Sequence, residues 1–85
     1  MARFFLHLYN AIGEARDPEG QELPDLEAAR QSALAGVRSI ISSEAREGRI
    51  DLRGRVEIVG EQGATLLVVS FEDAFELHLQ GGDHV

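Results

Sequence analysis

The chain has 85 residues, with 15 acidic against 8 basic and a formal charge of −7; 44% is hydrophobic and 27% charged. That is the size of one small domain and the composition of an ordinary soluble protein, which excludes collagen-like repeats, long disorder and membrane spans. All 8 basic residues are arginines, and a domain this acidic is repelled by nucleic acid and by anionic membrane surfaces alike.

Residues 3–10 are expected to form a strand. Phe4, Leu6 and Leu8 alternate with Arg3, Phe5, His7 and Tyr9. The first set is wholly apolar and belongs on the core face; the second is amphipathic and belongs on the other. The apolar run here is only about five residues, shorter than the ~7–15 of a signal-peptide core, and His7 interrupts it. A cytoplasmic location is therefore expected. Residues 10–24 are turn-rich. Asp17-Pro18-Glu19-Gly20 suits a type I turn, and a short extra strand within 14–23 is expected to pair back on the first.

Residues 25–47 carry the clearest helical period. Leu26, Ala29, Ala33, Val37, Ile40 and Ile41 recur three and four apart, with Leu34 and Ala45 widening the stripe. Asp25 is placed as N-cap and Gly48 as the stop. Gly36, inside the helix, costs about 1 kcal/mol relative to Ala and is read as a point of close approach to the sheet.

Strands follow at 54–59 and 65–71, joined by a hairpin turn at Gly60-Glu61-Gln62-Gly63, with Gly63 suited to positive φ. The run Thr65-Leu66-Leu67-Val68-Val69-Ser70-Phe71 is almost continuously apolar, which demands cover on both faces. Ser70 and Asp73 stand as a capping box, and a short helical turn is expected at about 71–76. Leu77-His78-Leu79 has strand alternation, and 78–85 is expected to be a flexible tail of the single domain 1–85. The sum is an α+β domain of two layers, one long helix on a small antiparallel sheet.

Catalytic constellations are scarce. Without cysteine there is no disulfide, thiolate chemistry, zinc knuckle or iron–sulfur ligation. His7 and His78 share a Leu-His-Leu context and would meet if the first strand paired with the tail, but no spacing fixes two ligands on one element. No metal and no cofactor are expected. The paired carboxylates Glu14 with Asp17, Glu19 with Glu22, and Glu72 with Asp73 and Glu76 fall in turns or beside arginines, where a raised pKa is not expected. The arginines at 46, 49, 53 and 55 are interleaved with Glu44, Glu47, Asp51 and Glu57, the pattern of a solvated mixed-charge segment. No nucleophile elbow or phosphate loop is present, so no catalytic residue is assigned.

The remaining candidate is a surface. Arg3, Phe5, His7 and Tyr9 share the second face of the first strand, and arginine and aromatic side chains anchor protein interfaces. Beside Leu66 and Val68 they would form a patch needing cover. Two coverings are open: a protein partner or second copy of the chain, as in a homodimer, or the chain's own N-terminal loop or tail.

Three stretches resemble a family of short, uncharacterised bacterial domains of unknown function: Arg3-Phe4-Phe5-Leu6-His7-Leu8; Asp17 through Glu22-Leu23-Pro24-Asp25-Leu26-Glu27-Ala28-Ala29-Arg30; and Gly54-Arg55-Val56-Glu57-Ile58-Val59 with the Gly63 turn. The resemblance spans roughly residues 3–77 and implies a compact stand-alone domain without a transferable activity. The acidic turn leading through Pro24 and Asp25 into the helix is also similar to HicB-like antitoxins, which bind a toxin. The expected function is a non-enzymatic protein-interaction or self-association module. The alternatives are a small-ligand or effector-binding domain, with Arg3, His7 or Tyr9 at the mouth of a pocket between helix and sheet, and an antitoxin-like partner.

Overall fold

The apolar alternation at the N-terminus forms β1, Ala2–Asn10. The structure, a computed structural model, describes residues 1–80. After β1 come β2 (Glu14–Ala15), β3 (Gln21–Leu23), the helix α1 (Leu26–Arg46), β4 (Gly54–Val59), β5 (Thr65–Ser70) and a 3₁₀ turn at Phe71–Ala74. The fold is α+β, one helix against a five-stranded antiparallel sheet. In place of the single extra strand expected within 14–23, two short ones form. Both pair with β1: β2 opposite Leu8 and Tyr9, β3 opposite Ala2 to Phe4. β4 takes the other side of β1, with Leu6 opposite Ile58 and Leu8 opposite Val56. β5 then pairs with β4 and is the last strand in the order.

The helix begins where the sequence places it. Asp25 caps it, its Oδ1 accepting from the Ala28 N–H at 2.8 Å. At the other end the N–H of Gly48 donates to the Ala45 carbonyl and that of Arg49 to the Glu44 carbonyl. These are the two bonds of a Schellman ending, and Gly48 takes the positive φ (+87°) it requires. At about 1.5 Å per residue the 21 residues of α1 run about 32 Å, about the length of the nine-residue β1 and longer than the ~20 Å of the six-residue strands β4 and β5. Ile41 is the last buried helical residue, and Ala45 is exposed, contrary to its expected place in the apolar stripe. Gly36 is not a point of close approach either: a Cβ there would meet nothing within 4 Å.

The core lies between α1 and the inner face of the sheet. Ala29, Ala33, Val37 and Ile41 meet Phe4, Val56, Ile58 and Val69, while Phe71 and Ala74 close one end from the 3₁₀ turn. The Phe71 ring is 2% exposed and lies over Gly54, where a Cβ would stand 2.8 Å from the ring and 2.8 Å from the Tyr9 carbonyl oxygen. The 3₁₀ turn ends at Ala74 rather than residue 76, and β5 at Ser70 rather than Phe71, because the Ser70–Asp73 capping box starts the turn there. Residues 77–79 form no strand. Most of the expected flexible tail, 81–85, lies outside the described residues. Among the described residues no helix is long and apolar enough to cross a membrane.

Candidate functional site

The outer face of the sheet, away from α1, carries Arg3, Phe5, His7 and Tyr9 on β1. Pairing sets His7 beside Glu57 and Val68, and Tyr9 beside Arg55 and Ser70. The two halves of this face differ. Along β1 the segment 11–24 folds back: β2 and β3 pair with its edge, and the loop between them reaches the outer face at His7 and Arg3. His7 is only 8% exposed, and its Nδ1 accepts from the Asp17 backbone N–H at 3.0 Å. That bond leaves the ring proton of the neutral imidazole on Nε2. The Asp17 carboxylate accepts from the Leu6 N–H (3.3 Å) and the Gly20 N–H (3.0 Å). The turn expected at 17–20 is thus closed by the Asp17 side chain, which also satisfies the edge N–H that β1 presents between its pairings with β2 and β3.

The other members of the set are engaged in the same way. Arg3 donates to the Glu19 carbonyl (2.6 Å) and to the Glu22 carboxylate (3.0 Å). Phe5 stacks on His7, ring centroids 6.4 Å apart. The Arg55 guanidinium lies over the Tyr9 ring, 4.4 Å from its centroid, while its Nε donates to Glu57 at 2.8 Å. Arg16 reaches Glu14 and the Tyr9 hydroxyl. The arginine and aromatic anchors of β1 are therefore held by the chain itself.

Among the described residues nothing comparable lies over β5. Leu66 is 46% exposed and Val68 50%. From Glu61 to Leu66 every residue is exposed. Thr65 stands opposite Val59 and Leu67 opposite Ile58, so Leu66 is the extra residue of a β-bulge. Beyond it, Leu67–Ser70 continue as regular strand, and the side of β5 turned away from β4 pairs with no described strand. A row of backbone N–H and C=O groups on an open edge is a template for another strand.

The hollows of the molecule are modest. The cleft between α1 and the sheet holds about 180 Å³ and is lined by Leu6, Leu8, Ala33, Val37 and Ile40. On its rim Ser32 donates to Gln21. Arg3, His7 and Tyr9 lie on the opposite face of the sheet and cannot stand at its mouth. A more open hollow of about 380 Å³ beside Tyr9 and Gly54 carries Arg53 and Arg55, each already held by a carboxylate. His78 is exposed on the tail, near Glu76. His84 lies outside the described residues. No group of three His, Asp or Glu among the described residues is placed to hold a metal ion.

Residues 3–72 match the family described as a domain of unknown function, DUF6894. The chain belongs to that family. No curated protein and no solved structure matches it. Two residues of this DUF6894 domain matter to the surface or its support and were not singled out from sequence. In the sequence Asp17 is one turn carboxylate among several; only its place in the loop between β2 and β3, facing Leu6 and His7 of β1, gives it three bonds. Glu44 lies on the last turn of α1, where its Oε1 is buried without a hydrogen-bond partner among the described residues. It lines a hollow of about 10 Å³ with Arg49, Asp51 and Arg53, close to the smallest that holds one water.

Proposed function

We propose that this DUF6894 domain is a non-enzymatic interaction module, which binds another protein or a second copy of itself through the β5 side of its sheet. The observation that carries this reading is the exposure of Leu66 and Val68 beside an open strand edge, in a molecule whose β1 face is closed by its own loop. Apolar side chains on an unpaired edge gain most from a partner, because association buries them and completes the ladder together. His7, the buried imidazole, has Nδ1 occupied by a backbone N–H, which removes that nitrogen as a base. The ligand-binding alternative has less support. The apolar cleft under α1 falls below the ~300–1,000 Å³ of small-molecule sites, and its rim groups are satisfied by each other. An antitoxin-like role is a special case of the same reading, with a toxin as the bound protein.

The test is a photo-crosslinking amino acid at position 68 in living cells, with position 27 on the exposed side of α1 as control. A discrete adduct at 68 and none at 27 is the expected result, and its mass separates a second copy from a different protein. Equal labelling at both positions, or none at either, overturns the reading.

A further inference from the structure

Apart from Arg55, which stands opposite Ser70 and is held by Glu57 at 2.8 Å, the charge around β5 is one-sided. From residue 56 to the end of the chain there is no arginine or lysine, while Glu57, Glu61, Glu72, Asp73, Glu76 and Asp83 fall in that stretch. Glu61 sits in the turn that leads into β5, and Glu72 and Asp73 in the 3₁₀ turn that leaves it. The strand between them, Thr65–Ser70, carries no charge. The open edge is thus a neutral ladder with carboxylates at both ends. Glu61 and Glu72 are exposed and have no cation within ion-pair distance among the described residues. Asp73 spends one oxygen on the Ser70 N–H. Arg38, which reaches across from α1, is held by the Ala74 carbonyl.

This pattern discriminates between occupants. In an antiparallel pair of two β5 strands, the Glu61 end of each copy meets the Glu72–Asp73 end of the other. Like charges then face each other at both ends of the joint, between two molecules of net charge −7. A strand with an uncharged middle and cationic ends meets the opposite situation. Its backbone completes the ladder, its apolar residues cover Leu66 and Val68, and its cations reach carboxylates that lack a partner.

We propose that the free edge of β5 accepts an extended segment of a basic partner protein as an added strand, with Glu61 and Glu72 selecting the cationic residues at the two ends of that segment. This rests on the interaction reading above and names the chemistry of the partner.

The experiment titrates the intact protein with a synthetic peptide of about ten residues, alternating Thr and Val with two arginines at each end, and with the counterpart bearing glutamates in their place. Backbone amide spectra and amide exchange are the readouts. The basic peptide is expected to shift the amides of residues 61–73 and slow exchange along 65–70, with affinity falling as salt is added. The acidic counterpart binds at least about tenfold more weakly, and the double variant Glu61→Arg, Glu72→Arg reverses the preference. Equal binding of the two peptides overturns the proposal, as does binding that maps to β1–β3. Protection of the β5 amides by concentration-dependent dimerisation without any peptide also overturns it, in favour of a second copy. If neither peptide binds while the position-68 adduct still forms, the charge selection is wrong and the interaction reading stands; if the adduct is missing too, both fall.

Discussion

Asp17 accepts hydrogen bonds from Leu6 and Gly20, and its own N–H donates to His7, so one residue pins the loop between β2 and β3 against β1. Bonds to a charged acceptor contribute more than neutral ones, and truncation would leave the Leu6 N–H without its partner. Asp17→Ala is expected to lower the unfolding free energy by about 2 kcal/mol in urea titrations, with faster amide exchange at Leu6 and Gly20. Unchanged stability would show that the loop is held elsewhere. Asp51 makes a second local case. The side-chain hydrogen bond from Arg53 is the largest influence on its carboxyl, followed by the Arg53 backbone N–H, and together they hold it well below the usual carboxylate range. A carboxyl depressed in the folded state adds stability at pH values above its unfolded pKa of about 4, and that part is lost as pH falls through the folded value. Arg53→Ala is expected to move the Asp51 titration up toward the ordinary range, read by NMR of the side-chain carboxyl, and to make stability less steep with pH on the acid side. A titration that stays depressed would assign the effect to the backbone N–H at position 53, which the substitution keeps, and to Arg49, which lies 3.6 Å from the same carboxylate.

At the scale of elements, two helical glycines separate propensity from geometry. Gly36 faces empty space in the middle of α1, so Gly36→Ala adds helix propensity without a clash and is expected to stabilise by about 1 kcal/mol. Gly48 holds the left-handed residue of the Schellman ending, so Gly48→Ala is expected to destabilise by about 1 kcal/mol despite equal room around it. Thermal or urea unfolding of the pair checks both signs; the same sign for both would mean that the backbone at 48 does not decide the helix end. The boundaries of α1, β4 and β5 were legible from residue spacing because each depends on neighbours within the element: Asp25 before the stripe, Gly48 after it, Val56 and Ile58 in alternation. The failures lie where an element meets another. Ala45 satisfies the period and still lies in solvent, four residues past the last buried position of the helix. Gly54 gave no signal, yet Phe71, 17 positions along the chain, occupies the space over its Cα.

For the whole molecule, the question was how a strand apolar on both faces is covered with one helix available. The described residues divide the outer face, closing the β1 half with their own loop and leaving the β5 half open. Leu66 and Val68 contribute little to the core, so Leu66→Thr with Val68→Thr is expected to change the unfolding free energy by less than about 1 kcal/mol while removing the crosslink that a probe at position 70 forms in the parent chain. A loss of several kcal/mol would show that this face is covered within the molecule. Of the four anchors read from β1, the sequence placed all on one face correctly, because alternation fixes side; their engagement by Asp17, Glu19, Glu22, Arg16 and Arg55 is invisible in that alternation.

The sequence alone determined the helix, its caps, the three longer strands and the α+β class, since these rest on periodicity and on residue types that suit a turn or a cap at short range. Only the tertiary structure decided which half of the sheet the described residues shelter and which edge they leave unpaired. Those outcomes depend on where the 11–24 segment lands and on the order of the strands, and both are set by contacts between residues far apart in the chain, which no local pattern encodes.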